Sequence, residues 1–217
     1  SEGDFLKRYI YCPMHNAGDT YLVLDGPSTA SIKIKGSRFI AEALPVSDVS
    51  EAEQALASIR KRDYDATHHC SAWRIGKQGE TFRYSDDGEP SSSAGLPIFR
   101  QIEGKELTNT MVVVIRYYGG TKLGTGGLVR AYGDAAKEAL DAAPILEVIP
   151  RTRMHFQFGY EDTSPAMHVI SQFDAKRVDT KYGDDTVIIL DVRSIEADAF
   201  ADAIRESLSG RGTVRTE

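Results

Sequence analysis

Cysteine is scarce: only Cys12 and Cys70 occur in 217 residues, and no CxxC pair is present. That excludes a disulfide framework. With the five histidines scattered, no structural zinc site and no metal or other cofactor is expected. The simplest setting for such a chain is a reducing compartment, the cytoplasm. Long apolar runs are also missing. The longest, Met111–Ile115, is the size of a strand, whereas a membrane span needs roughly 20 residues. The opening SEGDFLKRYIYCP has no apolar core ahead of a small-residue cleavage site, so neither a signal peptide nor a membrane partner is expected. Low complexity is confined to Ser91–Ser93, and no repeat of fixed period stands out.

Acidic residues are absent from one interval, Leu107 to Gly133, which contains Arg116, Lys122 and Arg130. The whole chain carries a formal net charge of −6. That total argues against a nucleic-acid coat or an anionic membrane surface, and it leaves room for a local basic site.

The organisation splits near Ala142–Pro150, where DAAPILEVIP follows a strong helical pattern. The expected division is an extension over 1–20, a first domain over 21–142 and a second over 147–217. In the first domain, Tyr21–Leu24 and Ser31–Leu44 read as extended around Gly26-Pro27. Ser50 with Glu53 reads as a capping box ahead of a helical face carried by Ala52, Ala55, Leu56 and Ile59. Thr67–Ile75 and Thr81–Tyr84 form a hairpin around Gly76–Gly79. A short helix follows near Ser93–Ile102. Asn109–Tyr118, with MVVVIRYY, predicts a buried strand, and Thr125–Ala142 predicts a helix with Leu128, Tyr132, Ala135, Ala136 and Ala139 on one face. The second domain reads as a strand (Glu147–Gly159), a helix opened by Ser164-Pro165, a hairpin (Ala175–Tyr182, Thr186–Val192), a helix capped by Ser194 and a last strand (Arg211–Arg215). That β-α-β-β-α-β order is ferredoxin-like, and the fold class is α+β.

Three segments carry candidate chemistry. In Arg116–Gly133 a strand ends, a glycine loop follows and a helix begins. Such a loop offers free amides and a positive helix end to an anion, with Lys122 and Arg130 nearby. It matches neither GxxxxGK[ST] nor GxGxxG, because Val129 stands at the third glycine position. The glycines serve equally well as a tight strand-to-helix turn, so both readings stay open. In Tyr84–Gly95, Asp86, Asp87 and Glu89 precede a helix start. They suit a capping turn, and also a metal or acid–base role. In Ala66–Trp73, strand alternation puts His68 and Cys70 on one face and His69 and Ser71 on the other. A buried thiol beside a satisfied histidine is the plainer reading, and a Cys–His nucleophile the sharper one. Cys12 and His15 have ligand-like spacing without a second pair, and no chemistry is expected of them.

These segments, taken together, closely resemble the IMPACT/YigZ family in its bacterial two-domain form. The matching stretches are KGSRFIAEALPV (Lys35–Val46), ATHHC (Ala66–Cys70), DDGEPSSSAGLPI (Asp86–Ile98) and VVVIRYYGGTKLGTGGLVRAYG (Val112–Gly133). The likeness is strong over 31–142. In the second half it rests mainly on the order of elements, and residues 1–20 have no match. Ser92-Ser93 stand where the family usually has Gly-Thr, and Tyr118 where it usually has phenylalanine.

The resemblance implies an N-terminal ribosomal-protein-type α/β fold similar to domain IV of elongation factor G. It implies a C-terminal domain similar to the ferredoxin-like domain V of that factor. Both recur in translation proteins, so the partner implied is RNA or a ribosomal surface, by fold analogy. Eukaryotic relatives regulate translation through a protein partner. The resemblance does not extend to their partner-binding domain, so a different partner is expected.

The expected function is therefore a non-enzymatic regulator of translation that binds RNA or a ribosomal surface through Arg116, Lys122, Arg130 and the amides of Gly119, Gly120, Gly124, Gly126 and Gly127. The alternatives are a protein–protein adaptor in translational stress control, and a hydrolase using His68, Asp87 and Glu89.

Overall fold

A computed structural model describes residues 20–217. The pair Cys12/His15 and the rest of the N-terminal extension up to Asp19 lie outside the described residues. The chain is mixed α+β and divides into two compact units, Tyr21–Ile149 and Pro150–Glu217.

The first unit is built on a five-stranded sheet ordered β2-β3-β6-β4-β5, antiparallel throughout. The strands are β2 (Ser28–Ile34), β3 (Ser37–Pro45), β4 (His68–Ile75), β5 (Thr81–Ser85) and β6 (Thr110–Tyr117). β6 lies at the centre and is buried from Thr110 to Arg116, which is why its sequence is a continuous β-branched run. Alternation then sorts the side chains. Phe39, Ala41, Cys70, Ala72, Val112 and Val114 face two helices, α2 (Gly95–Gly104) and α3 (Gly124–Ala142), and pack on Ile98, Ile102, Tyr132 and Ala135. Trp73, Ile75, Met111, Val113 and Ile115 face the other way, onto Ala52 and Ile59 of α1 (Val49–Arg62). The result is a helix–sheet–helix sandwich with two cores. A separate two-stranded ladder joins β1 (Tyr21–Leu24) to β7 (Ile145–Val148).

The second unit has a four-stranded antiparallel sheet in the order β11-β8-β10-β9. Its strands are β8 (Arg151–Phe158), β9 (Ala175–Tyr182), β10 (Thr186–Arg193) and β11 (Thr213–Thr216), with α4 (Thr163–Ile170) and α5 (Ala197–Ser207) between them. In order along the chain the sheet reads 4-1-3-2, the ferredoxin-like arrangement. Phe156, Phe158, Ile188 and Leu190 pack beneath Ala166, Val169, Phe200 and Ile204.

Several boundaries differ from the sequence reading. Ser31–Leu44 is not one extended run. It folds back at Lys35–Gly36, both with positive φ (46° and 86°), the two-residue turn that matches strand twist. The cap of α1 is Asp48, whose carboxylate accepts from the Glu51 amide at 2.8 Å, while the Glu51 carboxylate accepts from Ser47 N at 2.7 Å. The box therefore lies two residues before Ser50/Glu53. Glu147–Gly159 is not one strand either: Pro150 cannot donate to a ladder, and Glu147 and Val148 pair with Leu22 and Tyr21 of β1. In the second unit single 3-10 turns at Tyr160–Asp162 and Ser194–Glu196 precede α4 and α5, so Ser164 and Ser194 are not their caps.

Candidate functional site

The row of residues at one end of the central sheet is His68, Arg116 and Phe39, side by side on β4, β6 and β3. Alternation points all three to the α2/α3 face. The loop Asp86–Glu89 leaves β5 and passes the end of β4, and each of its acidic residues has a different task. Asp86 reaches the start of α2, where one carboxylate oxygen accepts from the amides of Ala94 (2.9 Å) and Gly95 (2.8 Å) and the other from Ser92 N (2.8 Å). This is the capping role such a residue has at a positive helix end. Asp87 turns its carboxylate toward α1, accepting from Arg60 at 2.5 Å and from the His69 amide at 2.7 Å. Glu89 turns the opposite way, toward α3. It pairs with Arg116 and accepts from the Tyr132 hydroxyl at 2.7 Å.

His68 is fixed by the same loop. Its Nδ1 lies 2.7 Å from the Asp87 carbonyl oxygen. A carbonyl only accepts, so Nδ1 carries the hydrogen and, in the neutral ring, Nε2 keeps its lone pair. Nε2 stands 3.8 Å from a Glu89 oxygen. The structure thus brings His68 and Glu89 together, whereas the Asp87 atom bonded to His68 is its main-chain oxygen and its carboxylate is engaged by Arg60 and the His69 amide. Cys70, one row below, donates to the Asp86 carbonyl at 3.0 Å. Burial pushes its thiol far above the ordinary range, and the Tyr132 phenol likewise.

Beside these residues, β6 runs out into the glycine loop and α3 begins. A cleft of about 460 Å³ opens there, lined by Thr67, His68, Glu89, Pro90, Arg116 and Tyr118 on one side and Lys122–Thr125 with Leu128 on the other. No side chain caps α3, so its first amides are unclaimed by side chains and the positive end of a 19-residue helix adjoins the cleft. Glu89 and Arg116 cancel each other, which leaves Lys122 as the net charge on the wall. It makes no ion pair among the described residues.

The expected anion-binding residues are therefore not equivalent. Lys122 and Gly124 line the cleft. Arg116 lines it too, but its guanidinium is spoken for, held by Glu89 between the Phe39 and Tyr118 rings, at 5.3 and 5.4 Å from their centroids. Arg130 is exposed on α3 and is not part of the cleft wall. Gly119 has a packing reason: a Cβ there would come within 2.0 Å of the Gly36 backbone. Gly120 and Gly124 have conformational ones, with φ of 84° and 72°. Gly126 has neither, since its φ is not in the left-handed region and a Cβ would meet nothing within 4 Å; Gly127 would meet only Leu123 Cβ, at 3.1 Å. Tyr118, Thr67 and Thr125 were not singled out by the sequence as site residues. Their signal was only their position flanking the two strand ends and the helix start.

Two domains of this kind, with the polar loop and glycine turn meeting at the sheet end, define a recognisable class. Residues 35–140 match the Impact N-terminal domain, and residues 156–211 match a domain of unknown function, DUF1949. The chain belongs to the IMPACT family. It is 33% identical over 198 residues to the IMPACT family member YvyE of Bacillus subtilis, covering 90% of each chain. It is 36% identical over 166 residues to the IMPACT family member YigZ of Escherichia coli, covering 76% of this chain and 81% of that one. Likeness to the Saccharomyces cerevisiae protein IMPACT homolog is 34% over 96 residues, 42% of this chain and 36% of the yeast one. A crystal structure described as that of an hypothetical protein superposes with a TM-score of 0.62 at 30% identity, covering 91% of this chain and 97% of that one.

Proposed function

We propose that the protein acts in translation by binding RNA, with the cleft at the start of α3 as its phosphate contact. The observation that carries this reading is the amino end of α3, which no side chain caps, beside Lys122, which makes no ion pair among the described residues. Backbone amides and one lysine form a phosphate contact that reads no sequence. The family likeness supports the translational setting.

The test compares the parent with Lys122→Glu for binding of a labelled single-stranded oligoribonucleotide at three salt concentrations. The parent's affinity falls with salt, and the variant binds more weakly with a log–log slope smaller by about 0.7, the value per phosphate contact for single strands. Equal binding by both forms at every salt overturns the reading. Capture of protein from a lysate that persists at high salt, without RNA, selects an adaptor instead.

A second reading, phosphodiester hydrolysis at the same cleft, is favoured by one geometric fact. The Nδ1–H of His68 is anchored on a main-chain carbonyl and His68 lines the cleft, the way a general base is held. Cleavage of the oligoribonucleotide by the parent and not by His68→Gln establishes it; intact RNA after long incubation rejects it.

A further inference from the structure

The cleft described above has a closed floor and two chemically different walls. The floor is Glu89 and Arg116, with side chains only 5% and 6% exposed. A strand of RNA running past would need an open-ended groove. A cleft of about 460 Å³ is instead of the size that takes one small unit. One wall carries Tyr118, 46% exposed, and Pro90; the other is Leu123 and Leu128, with Lys122 and Thr125 at the helix start. An aromatic face next to an amide-rich, cationic helix end suits a ligand with a flat ring and a phosphate.

Two further features ask for an occupant. Arg116 Nε is buried and, among the described residues, has no hydrogen-bond partner. Such orphaned donors are rare in native proteins and costly, and Arg116 itself lines the cleft. Gly126 sits in the first turn of α3 where glycine weakens a helix relative to alanine, and neither packing nor φ requires it there. Glycine leaves the backbone there open to close approach from outside the chain, one residue past Thr125 of the cleft wall.

We infer that this cleft binds a single nucleoside monophosphate unit, with its phosphate against the first-turn amides of α3, Lys122 and Thr125, and its base against Tyr118. The inference rests on reading the cleft as a phosphate site, and it narrows that reading from a strand to one nucleotide. The unit has two sources of the same chemistry, a free mononucleotide or the exposed phosphorylated end of an RNA.

Calorimetric titration of the full chain tests it, using the four ribonucleoside 5′-monophosphates, the matching nucleosides and inorganic phosphate. At least one monophosphate binds at one site, tenfold or more tighter than its nucleoside or phosphate alone. Tyr118→Ala and Lys122→Glu each weaken it at least fivefold. Gly126→Ala weakens it at least fivefold while its melting temperature equals or exceeds the parent's, which separates loss of the site from loss of fold. A 5′-phosphorylated and a 5′-hydroxyl oligoribonucleotide form the second arm. Preference for the phosphorylated end with the same Tyr118 dependence supports the inference and identifies a strand end. Binding of the free monophosphate with neither oligonucleotide also supports it, and discards the RNA reading. Lys122-dependent binding of both oligonucleotides with no monophosphate binding overturns the inference and leaves the RNA reading standing. So does a monophosphate affinity no better than that of inorganic phosphate.

Discussion

Glu89, in the loop after β5, and Arg116, near the end of β6, form an ion pair at the floor of the cleft, with Tyr132 of α3 completing the carboxylate's hydrogen bonds. Three elements far apart in sequence are thereby pinned at one point. A buried pair adds little net stability compared with an apolar replacement, but removing one partner strands the other. Arg116→Met is expected to cost about 3–5 kcal/mol in urea denaturation. The double variant Glu89→Leu/Arg116→Met recovers most of that loss. A single variant as stable as the parent would mean that the pair is not formed.

The two ends of the glycine loop respond oppositely to alanine. Gly119→Ala places a Cβ against the Gly36 backbone and is expected to destabilise by about 1–3 kcal/mol, the range for overpacking. Gly126→Ala meets nothing and stabilises by up to about 1 kcal/mol through helix propensity. Chemical denaturation of the two variants side by side checks the contrast.

Ser92 holds a φ of 60°, at the position where the resemblance has glycine, while its amide serves Asp86. A left-handed conformation costs a side-chain-bearing residue roughly 1–2 kcal/mol, partly offset by the entropy glycine loses. Ser92→Gly is therefore expected to leave stability unchanged or raise it by up to about 1 kcal/mol. Ser92→Val, branched at Cβ, lowers it. A lower melting temperature for Ser92→Gly would contradict this account.

Cys70 is buried, and its thiol is pushed up by loss of solvent. The thiolate is the reactive form. In a Cys12→Ser background, Ellman's reagent at pH 8 is expected to label the native protein hundreds of times more slowly than the urea-unfolded protein. Fast native labelling would place Cys70 in the reactive class.

In the second unit, the hydrogen bonds from Arg211 hold the Asp162 carboxyl below its usual range. A depressed native value means that the stabilisation is present above the unfolded value of about 3.9 and is lost as pH falls through the native one. Hydrogen exchange at β10 amides of the full chain, followed from pH 5 down to pH 2.5, is expected to show an acid-labile component in the parent. Arg211→Met lacks that component, and an identical pH profile for both forms rejects the pair as its source.

Much of the scaffold was legible because it is local. The run MVVVIRYY announces a strand buried on both faces, and the spacing of Leu128, Tyr132, Ala135 and Ala139 announces the buried face of α3. The alternating hairpins and two amphipathic stretches after residue 150 announce the ferredoxin-like order. The illegible parts depend on partners distant in sequence. Lys35–Gly36 is a tight turn whose lysine takes a left-handed φ that composition does not signal. Strand alternation separates His68 from His69, but nothing in SDDGEP tells which way each carboxylate turns. The opposed directions of Asp87 and Glu89 are set by Arg60 on α1 and by Arg116 and Tyr132. The pairing of β7 was hidden for the same reason, since its partner is β1.

That β1–β7 ladder joins Tyr21 to Val148 and Leu24 to Ile145, so the first unit is closed by its own first and last strands. During synthesis β1 emerges early and has no ladder partner until some 120 residues later. That ladder therefore forms only when residue 148 has cleared the ribosomal exit tunnel. By the same geometry the two ends of the unit lie side by side, and a short linker from Val148 back to Tyr21 would allow the chain to be reopened elsewhere, for instance at the Gly76–Gly79 turn, with the sheet order retained.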